Sequence, residues 1–179
     1  ILEDESTFIG SRHIPIPLVK AMRGSPRVVL EVPLEERVEK LWNEFVIGRY
    51  EETYEYLKHI KKLEGGRPLG NEDLEGVDNA FANHLKDSLS RIKKRLSKPR
   101  FDEIMVMMEH ALEVQHVDGF VAHQHWLRAV TTEYYDKMYK YALEKQKDKI
   151  VFAGNKKEVL QFLVSSSSTA ELPARNEAR

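Results

Sequence analysis

Apolar positions recur at helical spacing through most of the chain. From Leu34 to Leu63 they fall at Leu34, Val38, Leu41, Trp42, Phe45 and Val46, then at Tyr50, Tyr54, Leu57 and Ile60. This predicts two helices, or one bent helix, with a break near Gly48. Phe81, Leu85, Leu89, Ile92 and Leu96 repeat the pattern and predict a helix ended by Lys98-Pro99. A following helix carries Phe101, Ile104, Met105, Met108, Ala111 and Leu112. Another runs from about Phe120 through Trp126, Leu127, Val130, Tyr134, Met138 and Tyr141, with Tyr134, Met138 and Tyr141 expected in the core. Together these predict an antiparallel helical bundle over residues 71–147.

Two short apolar runs have a different character. Val28 to Val32 is β-branched and bounded by Pro26 and Pro33, which predicts a buried strand, and Ile150 to Gly154 predicts a second. Asn155 is placed to cap a helix over Lys156 to Val164. Before the first strand, Pro15 and Pro17 favour extended backbone leading into a short helix from Leu18 to Arg23. Gly65-Gly66-Arg67-Pro68-Leu69-Gly70-Asn71 reads as a loop. Residues 165–179, beginning with four serines, read as a disordered polar tail. The expected fold is a mainly helical α/β chain with an α/β region over 1–64, the bundle, and a returning strand and helix over 148–164.

Composition narrows the chemistry. The 179 residues are 41% hydrophobic and 32% charged, ordinary for a soluble globular chain. With no cysteine, disulfides and thiolate metal sites are excluded, and a nucleophilic thiol would have to come from another chain or segment. No apolar run approaches the ~20 residues needed to cross a bilayer, so the expected location is the cytoplasm. The chain opens on Ile1-Leu2-Glu3, which suggests further sequence upstream. Formal net charge is −1, which argues against a uniformly basic surface and leaves the question to local clusters.

One cluster stands out. Lys86, Arg91, Lys93, Lys94, Arg95, Lys98 and Arg100 gather positive charge where a helix is expected to end. They could neutralise nucleic-acid phosphates, or simply complement the helix dipole. Tyr135 and Tyr139 fall on a face other than that of Tyr134, Met138 and Tyr141, suited either to stacking on bases or to sealing an interface. Arg37, one helical turn past the first strand, could bind an anion or pair with a carboxylate such as Glu35 or Glu36. Glu3, Asp4 and Glu5 follow a strand-like start and could lie near a nucleotide-bound magnesium ion, although no GxxxxGK[ST] loop is present in this chain. His123 and His125, two residues apart, point in different directions on a helix, and His110 and His116 lack carboxylates at ligand spacing, so no metal site is expected.

Taken in order, Glu5-Ser6, Ile9-Gly10, Ala21-Met22-Arg23, Pro26 and the run Val29 to Val38 resemble the second half of the P-loop domain of tRNA 2-selenouridine synthases. Ile92-Lys93-Lys94-Arg95-Leu96, Trp126, Tyr134 to Tyr139 and Ile150 to Gly154 resemble later blocks of that family, so the likeness covers roughly residues 1–164. Two departures are visible: Thr7 stands where members often carry arginine, and Ser97-Lys98 replaces a glycine-rich turn. The resemblance implies the C-terminal part of a P-loop-type parallel sheet with an appended helical bundle. It implies an upstream rhodanese-like domain with a catalytic cysteine and a phosphate loop, neither of which lies in this chain. It also implies a transferase that converts wobble 2-thiouridine to 2-selenouridine with selenophosphate, through a sulfur geranylated from geranyl diphosphate.

On that reading the chain itself contains no catalytic residue and no cofactor. Arg12, Arg23 and Arg37 would contact diphosphate, while the cation cluster with Tyr135 and Tyr139 would contact tRNA. A non-catalytic helical interaction module is the alternative that the residues leave open. A small-molecule kinase is a third, weakened because its phosphate loop should lie in the same domain.

Overall fold

A computed structural model describes residues 2, 7–9, 11–63, 65–66 and 68–168. Two compact units emerge: residues 1–32 with 143–179, and residues 33–142. The helix pair over Leu34–Leu63, expected with the α/β region, therefore belongs to the helical unit.

The first unit is built on a parallel strand pair. A short antiparallel hairpin, β1 (Phe8–Ile9) and β2 (Arg12–His13), precedes α1 (Ile16–Gly24). Pro17 sits in the first turn of α1, where its missing N–H costs nothing, so the helix starts two residues earlier than expected. β3 (Arg27–Leu30) pairs in parallel with β4 (Ile150–Gly154), in the register Val28↔Phe152, Val29↔Ala153 and Leu30↔Gly154. Glu31 N–H continues the ladder to Gly154 O at 2.8 Å. A parallel pair cannot be closed by a tight turn, and here the whole of 33–142 lies in the crossover.

α8 (Lys156–Ser168) packs on the pair, with Phe152 and Phe162 rings stacked at 4.5 Å and 7°. Asn155 caps it as expected: its Oδ1 accepts from Lys157 N–H at 2.9 Å and Glu158 N–H at 3.1 Å. Glu158 Oε2 returns to accept from Asn155 N–H at 2.8 Å, completing a capping box. α8 continues through Ser165–Ser168, residues expected in the disordered tail. Ser165 Oγ donates back to Gln161 O and Phe162 O, which keeps its hydroxyl within the helix. Residues 169–179 lie outside the described residues.

The second unit is helical throughout. It contains α2 (Leu34–Trp42), a π segment (Asn43–Ile47), α3 (Gly48–Leu63), α4 (Asn71–Ser90), a 3₁₀ turn (Lys93–Arg95), α5 (Lys98–Asp118), α6 (His123–Val130), a second π segment (Thr131–Tyr135), and the start of α7 (Asp136–Glu144). Its core interleaves Val38 and Val46 with Phe81, Leu85 and Leu89 of α4, Phe101, Ile104, Met108 and Ala111 of α5, and Trp126, Leu127 and Val130 of α6. These are the expected faces of α4, α5 and α6.

The π segments explain where the apolar pattern misleads. Each inserts one residue into the helical ladder, turning the following side chains by about 100° relative to a straight helix. In the first, Gly48 N–H bonds Asn43 O, and Val46 is buried while Phe45, expected on the apolar face, is 51% exposed. Gly48 is thus the end of a bulge rather than a chain break. Tyr134, within the second, and Met138, past it, are half-buried, and Tyr141, expected in the core, is 64% exposed.

The connection from α4 to α5 also differs from expectation. The helix ends at Ser90, not at Lys98-Pro99, and those two residues instead open α5. Proline in a helix's first turn is tolerated for the reason that held at Pro17.

Candidate nucleic-acid interface

The five residues that follow α4 form a compact basic projection. Ile92 N–H bonds Leu89 O at 3.1 Å and Arg95 N–H bonds Ile92 O at 2.9 Å, folding the segment into the 3₁₀ turn. Ile92 and Leu96 pack against the core. With both apolar residues turned inward, Arg91, Lys93, Lys94 and Arg95 are left outward and exposed. Lys93 Nζ lies 5.1 Å from the centroid of the Phe101 ring, a cation–π contact at the edge of the core. Among the described residues, Arg91, Lys94 and Arg95 form no ion pair.

The rest of the predicted cluster is neutralised locally. Lys86 Nζ meets Glu109 Oε1 at 3.4 Å, and Lys98 Nζ meets Asp102 Oδ2 at 2.6 Å. Arg100 Nη1 meets Glu103 Oε2 at 2.5 Å, and its Nη2 lies 3.4 Å from Glu133 Oε1. Lys98 and Arg100 stand at the N-terminal end of α5, where a cation opposes the helix dipole, and acids one turn on offset them. They do not, as expected, sit at the favourable end of the preceding helix. The Lys137 ammonium, hydrogen-bonded to Glu133, lowers that carboxyl's pKa.

The predicted phosphate ligands fall in both units. Arg12 (β2) and Arg23 (α1) belong to the first and are exposed. Arg37 belongs to the second, where its guanidinium forks onto both carboxylate oxygens of Asp136, and that hydrogen-bonded pairing raises its pKa. The pairing expected within the helix is thus made to a residue far along the chain, while Glu35 forks onto Arg128. The Arg128 hydrogen bond holds the Glu35 carboxyl below its usual range. Glu3, Asp4 and Glu5 lie outside the described residues. Tyr135 and Tyr139 are 37% and 44% exposed, and the Tyr135 ring packs edgewise on Tyr134 at 4.8 Å.

Sequence reasoning missed a polar network through the helical core. Trp126 Nε1–H donates to His123 Nδ1 at 2.9 Å, which leaves the His123 proton on Nε2, 3.3 Å from Gln115 Oε1. Gln115 Nε2 donates to Asp78 Oδ1 at 3.4 Å, and Asp78 also accepts from Tyr50 OH at 3.0 Å and meets His116 Nε2 at 2.9 Å. His116 therefore has a carboxylate partner, supplied by α4 rather than by its own neighbourhood. Burial, reinforced by Asp78, pushes the Tyr50 phenol up to about 12. Beside the network, Gly119 and Phe120 both take positive φ, at 67° and 68°. The Phe120 carbonyl is held by Trp42 Nε1–H at 2.8 Å. No group of three or more metal-ligating side chains occurs among the described residues, and no helix there is long and apolar enough to cross a membrane.

Residues 1–170 match the family model of the tRNA 2-selenouridine synthase AAA domain. The tRNA 2-selenouridine synthase of Cupriavidus pinatubonensis is 35% identical over 169 residues, covering 94% of this chain and 42% of that protein. That of Hahella chejuensis is 36% identical over 170 residues, covering 94% and 41%. That of Pseudomonas syringae pv. tomato is 37% identical over 169 residues, covering 94% and 42%. The chain thus spans about two fifths of the length of these curated relatives. No solved structure matches it.

Proposed function

The chain belongs to the tRNA 2-selenouridine synthase AAA-domain family, and from that premise we propose that it is the C-terminal portion of a tRNA-modifying transferase, contributing contacts to tRNA. The complete protein exchanges sulfur for selenium at wobble 2-thiouridine with selenophosphate, by way of sulfur geranylated from geranyl diphosphate. A rhodanese-like segment supplies the catalytic cysteine that this chain lacks, and a phosphate loop upstream binds the nucleotide. The work is done in the cytoplasm.

One observation carries the RNA role: four neighbouring cations project from a turn whose apolar residues are anchored in the core, and none has a carboxylate partner in the described residues. Folding leaves such charges unneutralised at little cost only in water, and a polyanion is the ligand that profits from them. Lys86, Lys98 and Arg100, each already paired, contribute secondarily. Tyr135 and Tyr139 offer half-exposed rings to unstacked bases.

For diphosphate, Arg12 and Arg23 are exposed donors, whereas Arg37 must first leave Asp136. β3 and β4 are read as adjacent strands of a larger P-loop-type sheet. The support is that a parallel pair is normally covered on both faces, whereas Leu30 and Val151 here are 52% and 54% exposed.

The test is made on the full-length protein added to an extract deficient in the modification, with mass spectrometry of the wobble uridine. Appearance of 2-selenouridine supports the assignment, and a persistently unmodified 2-thiouridine refutes it.

A further inference from the structure

The turn after α4 offers a narrow chemical vocabulary. From Arg91 to Leu96 its side chains are four cations and two aliphatic residues, so every outward group donates and none accepts. A donor-only set can address acceptors such as guanine O6 and N7 but not the amino groups of adenine or cytosine, so it cannot read a mixed sequence, and unpaired strands are held chiefly on aromatic platforms on which bases stack. The ring nearest the turn, Phe101, is 5% exposed and is covered by the Lys93 ammonium, so it offers no stacking surface. What remains is a set of point charges on a fixed scaffold. That suits the sugar–phosphate backbone of a paired helix, where recognition runs through shape and phosphate rather than through bases.

Resting on the tRNA reading above, we propose that Arg91, Lys94 and Arg95 grip the backbone of a double-stranded tRNA stem rather than the loop that carries the modified base. Lys93 is divided between the ligand and the Phe101 ring. The turn orients the substrate by one of its stems, and it does so without regard to sequence.

The experiment measures binding of the full chain to bulk tRNA, to a blunt RNA duplex of mixed sequence and to one strand of that duplex alone, across a salt series. Three proteins are compared: wild type, R91A/K94A/R95A, and the charge-conserving R91K/R95K. All three positions are exposed, and circular dichroism melts of the single variants R91A, K94A and R95A establish that the fold survives. Loss of three phosphate contacts lowers the log–log salt slope by about 2 to 3. The advantage of wild type over the alanine variant therefore shrinks about 20- to 40-fold between 50 and 200 mM salt. The expected result is that tRNA and duplex binding weaken together in R91A/K94A/R95A, that R91K/R95K binds like wild type, and that the single strand competes poorly. A strand that competes as well as the duplex overturns the stem assignment while leaving the tRNA contact standing. An R91K/R95K variant as impaired as the alanine variant overturns the reading of these residues as point charges, since it would show dependence on the guanidinium fork. Unchanged tRNA binding by R91A/K94A/R95A removes the contact itself.

Discussion

Acidification should weaken the helical unit through one buried ring. His123 is 0% exposed, and its pKa is lowered to about 4, chiefly by burial, with the Asp118 charge opposing. The hydrogen bonds work in the same direction as burial. Trp126 Nε1–H already donates to His123 Nδ1, so a second proton there would set two N–H groups against each other. In the unfolded chain the imidazole returns to its ordinary value near 6.5, so below that pH the unfolded state binds a proton that the native state refuses. The native form therefore keeps its full stability above about pH 6.5 and loses it progressively as the pH falls toward about 4. Between pH 7.5 and 4.5 the linkage amounts to about 2 to 3 kcal/mol. Urea titrations followed by tryptophan fluorescence would measure it, with H123F as the reference that cannot take up the proton. H123F should be less stable at pH 7.5 by about 1 to 3 kcal/mol, because Trp126 and Gln115 lose their partner. The gap to wild type should then close at pH 4.5. Equal losses in the two proteins over that interval would refute the assignment of the ring as neutral and buried.

Other perturbations separate the two units. F81A should destabilise the helical unit by about 3 to 5 kcal/mol, read as a lower urea midpoint, since Phe81 is 0% exposed at the centre of its core. G154A should disturb the strand pair and α8: a Cβ there would stand 2.7 Å from Glu158 Oε2 and 3.1 Å from Glu158 Cβ, breaking the capping box at a cost of about 1 to 3 kcal/mol. Hydrogen exchange should show that loss in residues 150–165 and leave α4 and α5 protected. D136N should cost about 1 kcal/mol by loosening the fork to Arg37, which is half-exposed and so partly screened. If Arg37 binds diphosphate, D136N should also tighten that binding in the full-length protein, measured by calorimetry.

What the sequence discloses follows from how local each cause is. Phe81, Leu85 and Leu89, and Ile104, Met108 and Ala111, announce their helices because a buried face repeats every three or four residues and nothing else in the window competes. Asn155 is legible as a cap because its partners lie two and three residues away. The π segments are not legible, since the inserted residue alters no composition, and a straight-helix reading puts Phe45 and Tyr141 on the wrong face. The network around Asp78 is hidden for a different reason. Its members come from α3, α4, α5 and α6, and only packing brings Tyr50, Asp78 and His116 within hydrogen-bond reach. The basic cluster was visible as a run of charges, but which of them would remain unpaired was not.

That last distinction has a physical origin in the turn itself. A lysine or arginine within a helix has positions three and four residues away on the same face, and a carboxylate placed there neutralises it, as Asp102 does for Lys98 and Glu103 for Arg100. The 3₁₀ turn breaks that geometry between α4 and α5. Positions three and four residues along from Arg91 are Lys94 and Arg95, themselves cations, so no carboxylate follows it within a turn. Ile92 and Leu96 at the same time hold the turn against the core and prevent it from folding back onto acids elsewhere in the unit. Unpaired charge at this point is therefore a consequence of where the helix stops. Extending α4 through the turn with K93A and K94A would rotate Arg95 toward Arg91 and dissolve the basic projection. The loss of RNA affinity should then exceed that expected from the two missing charges alone.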